Sequence, residues 1–171
     1  MLVIFMKNII LIGMPGAGKS TVGVLLAKSL LMDFTDTDLI IQRKTKKALC
    51  DIINENSTAY FIKLEEEIIS SENFSNTVVA TGGSAVYGKN AMSKLRENGI
   101  CVYLKTELPE LIKRLGDITT RGIAMDKNTD ISGLFTERSP LYEKYADITV
   151  ECTGKTPEEC VDIIVSQIIN R

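Results

Sequence analysis

A glycine-rich segment, Gly13–Ser20, separates an apolar run from a helical pattern near the start of the chain. Its residues, Gly-Met-Pro-Gly-Ala-Gly-Lys-Ser, fit the spacing GxxxxGK[ST]. The β-branched run Ile9–Ile12 predicts a buried strand, and the apolar spacing in Ser20–Leu31 predicts a helix. A strand, a glycine-rich turn and a helix in this order form a loop whose backbone N–H groups can surround an anion.

The side chains of this loop favour a nucleoside triphosphate as the anion. Lys19 is expected to reach the outer phosphates, and the Ser20 hydroxyl is expected to bind Mg²⁺. The alternative is a strand-to-helix turn that carries a lysine by chance. The position of the loop after a predicted strand, the hydroxyl of Ser20 and the predicted helix that follows all agree with the phosphate-binding interpretation.

Short apolar runs alternate with longer helical patterns along the whole chain. The predicted strands are Ile9–Ile12, Asp33–Thr35, Thr77–Ala80, Ile100–Leu104 and Ile148–Val150. The predicted helices are Ser20–Leu31, Leu39–Thr45, Leu49–Asn54, Thr58–Ser71, Asn90–Glu97, Leu108–Leu115, Ser132–Tyr145 and Pro157–Ile169. This order predicts one α/β domain over residues 1–171, a three-layer α/β/α fold with a parallel sheet of about five strands. Ligands of such sheets bind beyond the carboxyl ends of the strands.

Composition excludes several function classes. The 171 residues contain no histidine, which removes histidine-ligated zinc sites and serine or cysteine nucleophiles activated by imidazole. The 20 basic and 22 acidic side chains nearly balance, so a basic nucleic-acid surface is not expected. No apolar run approaches the length of a membrane span, and the apolar start (Met1 or Met6) lacks the basic stretch of a signal peptide. We therefore predict a cytoplasmic monomer that acts on a small molecule.

The four cysteines are scattered along the chain and form no CxxC pair. They are Cys50, Cys101, Cys152 and Cys160. We interpret them as buried, reduced, structural thiols, although disulfide or metal roles are alternatives.

Two carboxylates are candidates for the metal and for a phosphoryl acceptor. The strand Val78–Ala80 runs into glycines and not into the aspartate that often supports Mg²⁺ in such proteins. If the strand before Asp36 continues, Asp36 and Asp38 project to one side, with Asp36 near the metal and Asp38 accepting the proton of a hydroxyl. Alternatively, Asp36 is a helix N-cap and Asp38 is an acid of the first turn.

Glycines and arginines mark the rest of the predicted site. Gly82 and Gly83 end a central strand and permit close approach of a ligand, unless they only serve a turn with positive φ. The polar stretch 116–130 is a predicted lid whose Arg121 could cover the phosphates and exclude water. Arg114 and Arg138 flank it; taken singly, each arginine could instead be a solvated surface residue.

The phosphate loop alone does not distinguish a switch, a motor and a small-molecule kinase. The chain lacks room for the extra domains of a motor, and Asn128–Asp130 lacks the lysine of a guanine-reading NKxD motif. A kinase for a small molecule is favoured, and a nucleotide-binding module without transfer activity is the alternative from another class.

The ordered landmarks of the chain resemble the shikimate kinase family. They are GMPGAGKST (13–21), DFTDTD (33–38), ATGG (80–83), the arginine at 121 and RSPLY (138–142). The resemblance covers Lys7 to about Asn170. It implies phosphorylation of the 3-hydroxyl of shikimate with MgATP, in the pathway to aromatic amino acids.

The same resemblance implies roles for individual residues. The residues implied to bind the nucleotide are Gly16, Ala17, Gly18, Lys19, Ser20, Thr21, Arg114, Arg121 and Lys155. Ser20 and Asp36 are implied to bind the metal. The residues implied to bind the acceptor are Asp38, Gly82, Gly83 and Arg138. Lys19, Asp38 and Arg121 are the implied catalytic residues.

Three positions depart from the family pattern. Ile62 stands where the family has an arginine for the substrate carboxylate, and Lys63 beside it is rotated about 100° on a helix. Ser84 replaces the third glycine of a triple glycine, and Gly122 replaces a proline after the lid arginine. These departures predict weak shikimate binding or a different small hydroxylated acceptor.

Overall fold

The computed structural model describes residues 7–116, 122–126 and 128–170. In these ranges five parallel strands form one sheet in the order β2-β3-β1-β4-β5. The strands are β1 (Asn8–Ile12), β2 (Asp33–Asp36), β3 (Thr77–Ala80), β4 (Gly99–Lys105) and β5 (Ile148–Glu151). The register aligns Ile10 of the central strand β1 with Val79 of β3 and Cys101 of β4.

Helices flank the sheet, and their bounds agree closely with the predicted ones. They are α1 (Lys19–Leu30), α2 (Thr37–Thr45), α3 (Leu49–Glu55), α4 (Thr58–Ser71), α5 (Lys89–Glu97), α6 (Leu108–Leu115), α7 (Ile131–Tyr145) and α8 (Pro157–Ile169). A short 3₁₀ helix, Ala85–Tyr87, was not predicted. The predicted three-layer α/β/α fold with a five-stranded parallel sheet is confirmed.

Two apolar clusters hold the fold together. The larger one surrounds β1, all five residues of which are buried, as expected for a parallel strand covered on both faces. The smaller one joins α2, α3 and α4 through Ile41, Ile52 and Phe61, and the loop residue Ala124 packs into it. The smaller cluster therefore positions α2 and α4 beside the carboxyl ends of β2 and β3.

The structure corrects the prediction that the strand continues through Asp38. Strand β2 ends at Asp36, and α2 begins at Thr37 and not at Leu39. The Asp36 side chain accepts a hydrogen bond from the backbone N–H of Asp38 at 2.9 Å, so Asp36 caps the helix and Asp38 lies in its first turn. The capping alternative describes this backbone correctly.

The cysteines of the described chain are free thiols. Cys101, Cys152 and Cys160 are buried, whereas Cys50 is only half-buried, which corrects the prediction for that residue. Among the described residues, no helix combines the length and the apolar character needed to cross a bilayer.

Candidate active site

A cavity of about 570 Å³ opens at the carboxyl end of the sheet. It connects the phosphate loop with the N-terminus of α2, the end of β3 and the buried face of α7. The residues that line it are Pro15, Gly16, Gly18, Lys19, Ser20, Thr21, Asp38, Leu49, Phe61, Thr81, Gly82, Gly83, Ser84, Arg114, Leu115, Gly122, Ile123, Ala124 and Arg138. Most of the predicted site residues therefore share one space.

The phosphate loop needs glycine at three of its positions. Gly13, Gly16 and Gly18 have φ angles of 148°, 83° and 91°, a region that other residues rarely adopt. Helix α1 begins directly afterwards at Lys19, so its unpaired N-terminal N–H groups lie at the cavity. The loop thus has the backbone form that the spacing GxxxxGK[ST] predicts.

Lys19 lies inside the loop and has an exposed fraction of only 8%. Its ammonium group donates to the carbonyl oxygens of Gly13 and Met14 at 2.7 and 2.8 Å. Burial lowers the Lys19 pKa to about 8, although the carboxylates of Asp38 and Asp36 favour the charged form. An ammonium has three donors, so Lys19 can hold the loop and still contact a phosphate oxygen.

Ser20 and Asp36 form the oxygen pair nearest the start of α1. The Ser20 hydroxyl donates to Asp36 Oδ2 at 2.6 Å. A hydroxyl and a carboxylate are hard oxygen ligands of the kind that Mg²⁺ prefers. The donor set present here therefore fits the metal that the sequence predicts.

Asp38 enters the cavity from the first turn of α2. Its neighbour Thr37 is fully buried and accepts a hydrogen bond from the Gly82 N–H at 3.1 Å, which ties α2 to the end of β3. Burial and the nearby Asp36 raise the Asp38 pKa to about 6, while Lys19 opposes this shift. A carboxylate with such a pKa is ionised at neutral pH and is a better base than a solvated aspartate.

Gly82 and Gly83 serve close approach and not a special backbone angle. Neither has a positive φ, so the alternative of a turn with positive φ is wrong. A methyl group on Gly82 would lie 2.5 Å from Glu65 Oε1 and 2.8 Å from Asp38 Oδ1. One on Gly83 would lie 2.8 Å from Pro15 Cδ. Both glycines leave this part of the cavity free of side chains where Asp38, Glu65 and Pro15 approach the backbone closely.

Arg138 is almost fully buried, with an exposed fraction of 1%, so the solvated-surface alternative is wrong for it. Its guanidinium donates to the Ala124 carbonyl and, at 3.3 Å, to the Tyr87 hydroxyl. It also lies over the Tyr87 ring, 5.3 Å from the centroid. A guanidinium has five N–H donors, and these contacts do not use all of them. Arg138 also lines the cavity, so its remaining donors are available to a bound ligand.

Sequence reasoning missed Glu65 and Ser84 as site residues. The predicted helix Thr58–Ser71 carries several charged residues, Glu65 among them, and no role was predicted for Glu65; its exposed fraction is 1% and it shares the buried face of α4 with Phe61 and Ile69. A carboxylate at helical spacing from buried apolar residues is the signal that would have identified it. Ser84 Oγ donates to Glu65 Oε2 at 2.5 Å.

The predicted nucleotide-side residues lie on one flank of the loop. Arg114 donates to the Gly16 carbonyl at 3.3 Å and pairs with Glu110. Glu110 also accepts from the Gly154 N–H at 2.7 Å, which holds the turn containing Lys155 beside α6. Lys155 itself is half-buried and is absent from the cavity lining in the described part of the chain.

The predicted lid is described only in part. Arg121 lies outside the described residues, so its predicted role stays a prediction. Within 122–126, Gly122 packs against α3, and the Met125 carbonyl accepts from the Thr58 hydroxyl at 3.1 Å. Ile123 and Ala124 line the cavity, so this end of the predicted lid borders the site.

Comparisons with known proteins identify the family of this chain. The family model for shikimate kinase matches residues 15–169. The shikimate kinase of Persephonella marina is 37% identical over 166 residues, covering 95% of this chain and 99% of that protein. The shikimate kinase of Thermodesulfovibrio yellowstonii is 36% identical and covers 95% of both chains.

A solved structure extends the agreement to three dimensions. The structure of shikimate kinase from Acinetobacter baumannii in complex with shikimate is 30% identical, with a TM-score of 0.87 over 96% of this chain and 94% of that one. The family model, the two relatives and the solved structure each match nearly the full length of this chain. The chain therefore belongs to the shikimate kinase family.

Proposed function

We propose that this chain transfers the γ-phosphoryl group of MgATP to the 3-hydroxyl of shikimate. One observation is the main support for this reaction. The cavity that begins at the phosphate loop ends at the carboxylate of Asp38 and the guanidinium of Arg138. An alcohol held there faces a phosphoryl donor on one side and a base on the other.

Lys19 and the N-terminus of α1 supply positive charge at the donor end of the cavity. Charge builds on the oxygens of the phosphoryl group during transfer, and fixed donors aimed at it lower the barrier. Because Lys19 is buried, its interaction with a phosphate is weakly screened by water. Arg121 is proposed to add a second cation from the lid, with Arg114 and Lys155 bordering the adenine.

Asp38 is proposed to orient the acceptor hydroxyl and to accept its proton. Its carboxylate lies in the first turn of α2, which the Asp36 cap and the Thr37 contact with Gly82 hold in place. Gly82 and Gly83 let the acceptor approach this carboxylate. A base fixed in this way loses little freedom when the acceptor binds.

Ser20 and Asp36 are proposed to hold the Mg²⁺, with Asp36 acting mostly through water. Bound there, the metal would neutralise phosphate charge. In the structure both residues are linked directly by the 2.6 Å hydrogen bond. Arg138 is proposed to bind the carboxylate of shikimate through its remaining donors.

A second candidate is the same transfer to a different small hydroxylated metabolite. The observation that favours it is Ile62, which stands on α4 where the family has a carboxylate-binding arginine. Ile62 is half-buried and is not among the residues that line the cavity in the described part of the chain, whereas the preceding residue, Phe61, lines it.

ADP release from ATP and Mg²⁺ over a panel of hydroxy acids and polyols separates the candidates. We expect shikimate to be the best acceptor. Faster release with another compound would assign the second candidate. Tight ATP binding without any acceptor-dependent release would assign a nucleotide-binding module and overturn both.

Restoring the family residue with Ile62→Arg is expected to lower the KM for shikimate. A charge-assisted hydrogen bond contributes roughly 1.5–3 kcal/mol, so the expected decrease is on the order of 10-fold or more. The measurement is steady-state kinetics at saturating ATP. Ile62→Met, similar in length but uncharged, is the control. If neither KM nor turnover changes in Ile62→Arg, residue 62 does not face the acceptor.

We further propose that residues 1–171 act as one domain, a cytoplasmic monomer with no nucleic-acid or membrane partner. The near-balance of 20 basic against 22 acidic residues supports the absence of a nucleic-acid surface. Gel filtration at several concentrations tests the monomer.

A further inference from the structure

Ser84 lies at the acceptor end of the cavity, in the turn between β3 and the 3₁₀ helix Ala85–Tyr87. It lines the cavity and has an exposed fraction of 4%. A serine at a turn usually bonds to nearby backbone groups. The Ser84 side chain makes no capping bond to the 3₁₀ helix; its hydroxyl instead donates across the fold to Glu65 Oε2 at 2.5 Å.

This contact occupies only one oxygen of Glu65. The other oxygen, Oε1, is buried and has no hydrogen-bond partner among the described residues. A buried carboxylate oxygen without a partner is costly, and such an atom in a site calls for an explanation.

Oε1 lies next to the proposed base. A methyl group on Gly82 would contact both Glu65 Oε1 at 2.5 Å and Asp38 Oδ1 at 2.8 Å, so the two oxygens lie beside the same Cα atom. Gly82, Asp38 and Ser84 line the cavity and Glu65 lies behind them, so Oε1 is separated from an acceptor at Asp38 by the backbone of Gly82.

The charged groups that face Glu65 come from three helices. They are Asp38 of α2, Lys19 of α1 and Arg138 of α7. Burial raises the Glu65 pKa to about 7, the Asp38 charge adds to this shift, and the Ser84 hydrogen bond and the two cations oppose it. Both the orientation and the ionisation of Glu65 thus depend on Ser84.

We propose that Ser84 is a positioning residue for the acceptor that acts through Glu65. Its hydroxyl holds Oε2 and favours the ionised carboxylate, so that Oε1 stays behind Gly82 and the surface that Gly82 and Asp38 present to the acceptor keeps its shape and charge. This inference rests on the proposed kinase function for its kinetic consequences. The link between Ser84 and Glu65 can be measured without any substrate.

The first test is the titration of Glu65 in the resting protein, followed by ¹³C NMR of labelled glutamate carboxyl groups. Glu65→Gln assigns the signal. In Ser84→Ala we expect the Glu65 pKa to rise by about half a unit or more, because the hydrogen bond to the charged form is lost. Ser84→Thr, which keeps the hydroxyl, should restore the wild-type value. An unchanged Glu65 titration in Ser84→Ala overturns the proposal.

The second test is steady-state kinetics at pH 7 with the best acceptor of the panel. Ser84→Ala is expected to raise the acceptor KM about 10-fold, the size of one hydrogen bond to a charged group, and to leave the KM for ATP unchanged. In a Glu65→Gln background the same substitution should change the acceptor KM by less than about 2-fold, because the effect passes through Glu65. Ser71→Ala, an exposed serine on the same helix as Glu65, is the control with unchanged kinetics.

The outcomes separate this proposal from the proposed function. Independent, multiplicative effects of Ser84→Ala and Glu65→Gln overturn the positioning role, as does an equal rise in the KM for ATP. If the wild-type protein transfers no phosphoryl group to any acceptor, the proposed function fails. The NMR titration still decides whether Ser84 controls Glu65. Should Ser84→Ala fail to fold, Glu65→Gln must still raise the acceptor KM, and an unchanged value overturns the proposal.

Discussion

Lys19→Ala is expected to abolish measurable phosphoryl transfer. The substitution removes the lysine of the phosphate loop, whose burial weakens the screening of its interaction with phosphate charge. Loss of a single fixed donor costs about 10²–10³ in turnover at comparable sites, and a buried ammonium should cost at least as much. Acceptor-dependent ADP release measures turnover, and isothermal titration with ATP measures binding.

The controls for this variant address folding and charge. Lys28→Ala removes an exposed lysine at the end of the same helix and should keep near wild-type turnover. Circular dichroism shows whether Lys19→Ala keeps its fold without the contacts to Gly13 and Met14. Because the Lys19 pKa is about 8, the wild-type affinity for ATP should weaken as pH rises through that value. More than a tenth of wild-type turnover in Lys19→Ala would contradict the assignment.

Asp38→Asn is expected to lower turnover about 10²–10³-fold, within the range for loss of a general base, while the Kd for ATP stays near the wild-type value. Asparagine has the same shape but cannot accept the proton. The pH dependence gives an independent check. The Asp38 pKa is raised to about 6, so the carboxylate is protonated below that pH and wild-type kcat/KM should fall there. The variant should lose the part of this acid limb that Asp38 causes and keep the part caused by Glu65, whose pKa is about 7.

Asp33→Asn is the matched control for Asp38→Asn. Asp33 is exposed at the start of β2, so its loss should leave kinetics unchanged. An equal loss of ATP binding in Asp38→Asn would instead assign Asp38 to the nucleotide side of the cavity.

Local interactions made the fold and the phosphate loop predictable. The strands and helices were located within a few residues because hydrophobic periodicity acts over short distances in the chain. The loop was predictable because Gly16 and Gly18 permit backbone angles that other residues avoid. The exact start of α2 was not predictable, because the sequence allows either a strand that continues through Asp38 or a helix capped by Asp36, and these alternatives differ over only two residues.

The acceptor end of the site depends on contacts between distant segments. Glu65 and Ser84 are 19 residues apart, and Arg138 reaches Tyr87 across 51 residues. A sequence pattern shows a charged side chain on a helix but not which group it meets when the helices pack. This is why Glu65 was not predicted as a site residue and why Arg138 kept a solvated alternative.

The amino-acid sequence by itself determined the α/β/α fold, the triphosphate loop and the resemblance to one kinase family. Each of these depends on residues that are neighbours in the chain or on their order along it. Only the tertiary structure decided that Asp38, Ser84 and Arg138 line one cavity and that Glu65 lies behind Ser84. The physical reason is that burial and pairing of charges arise when separate elements pack together, and packing is a property of the whole fold.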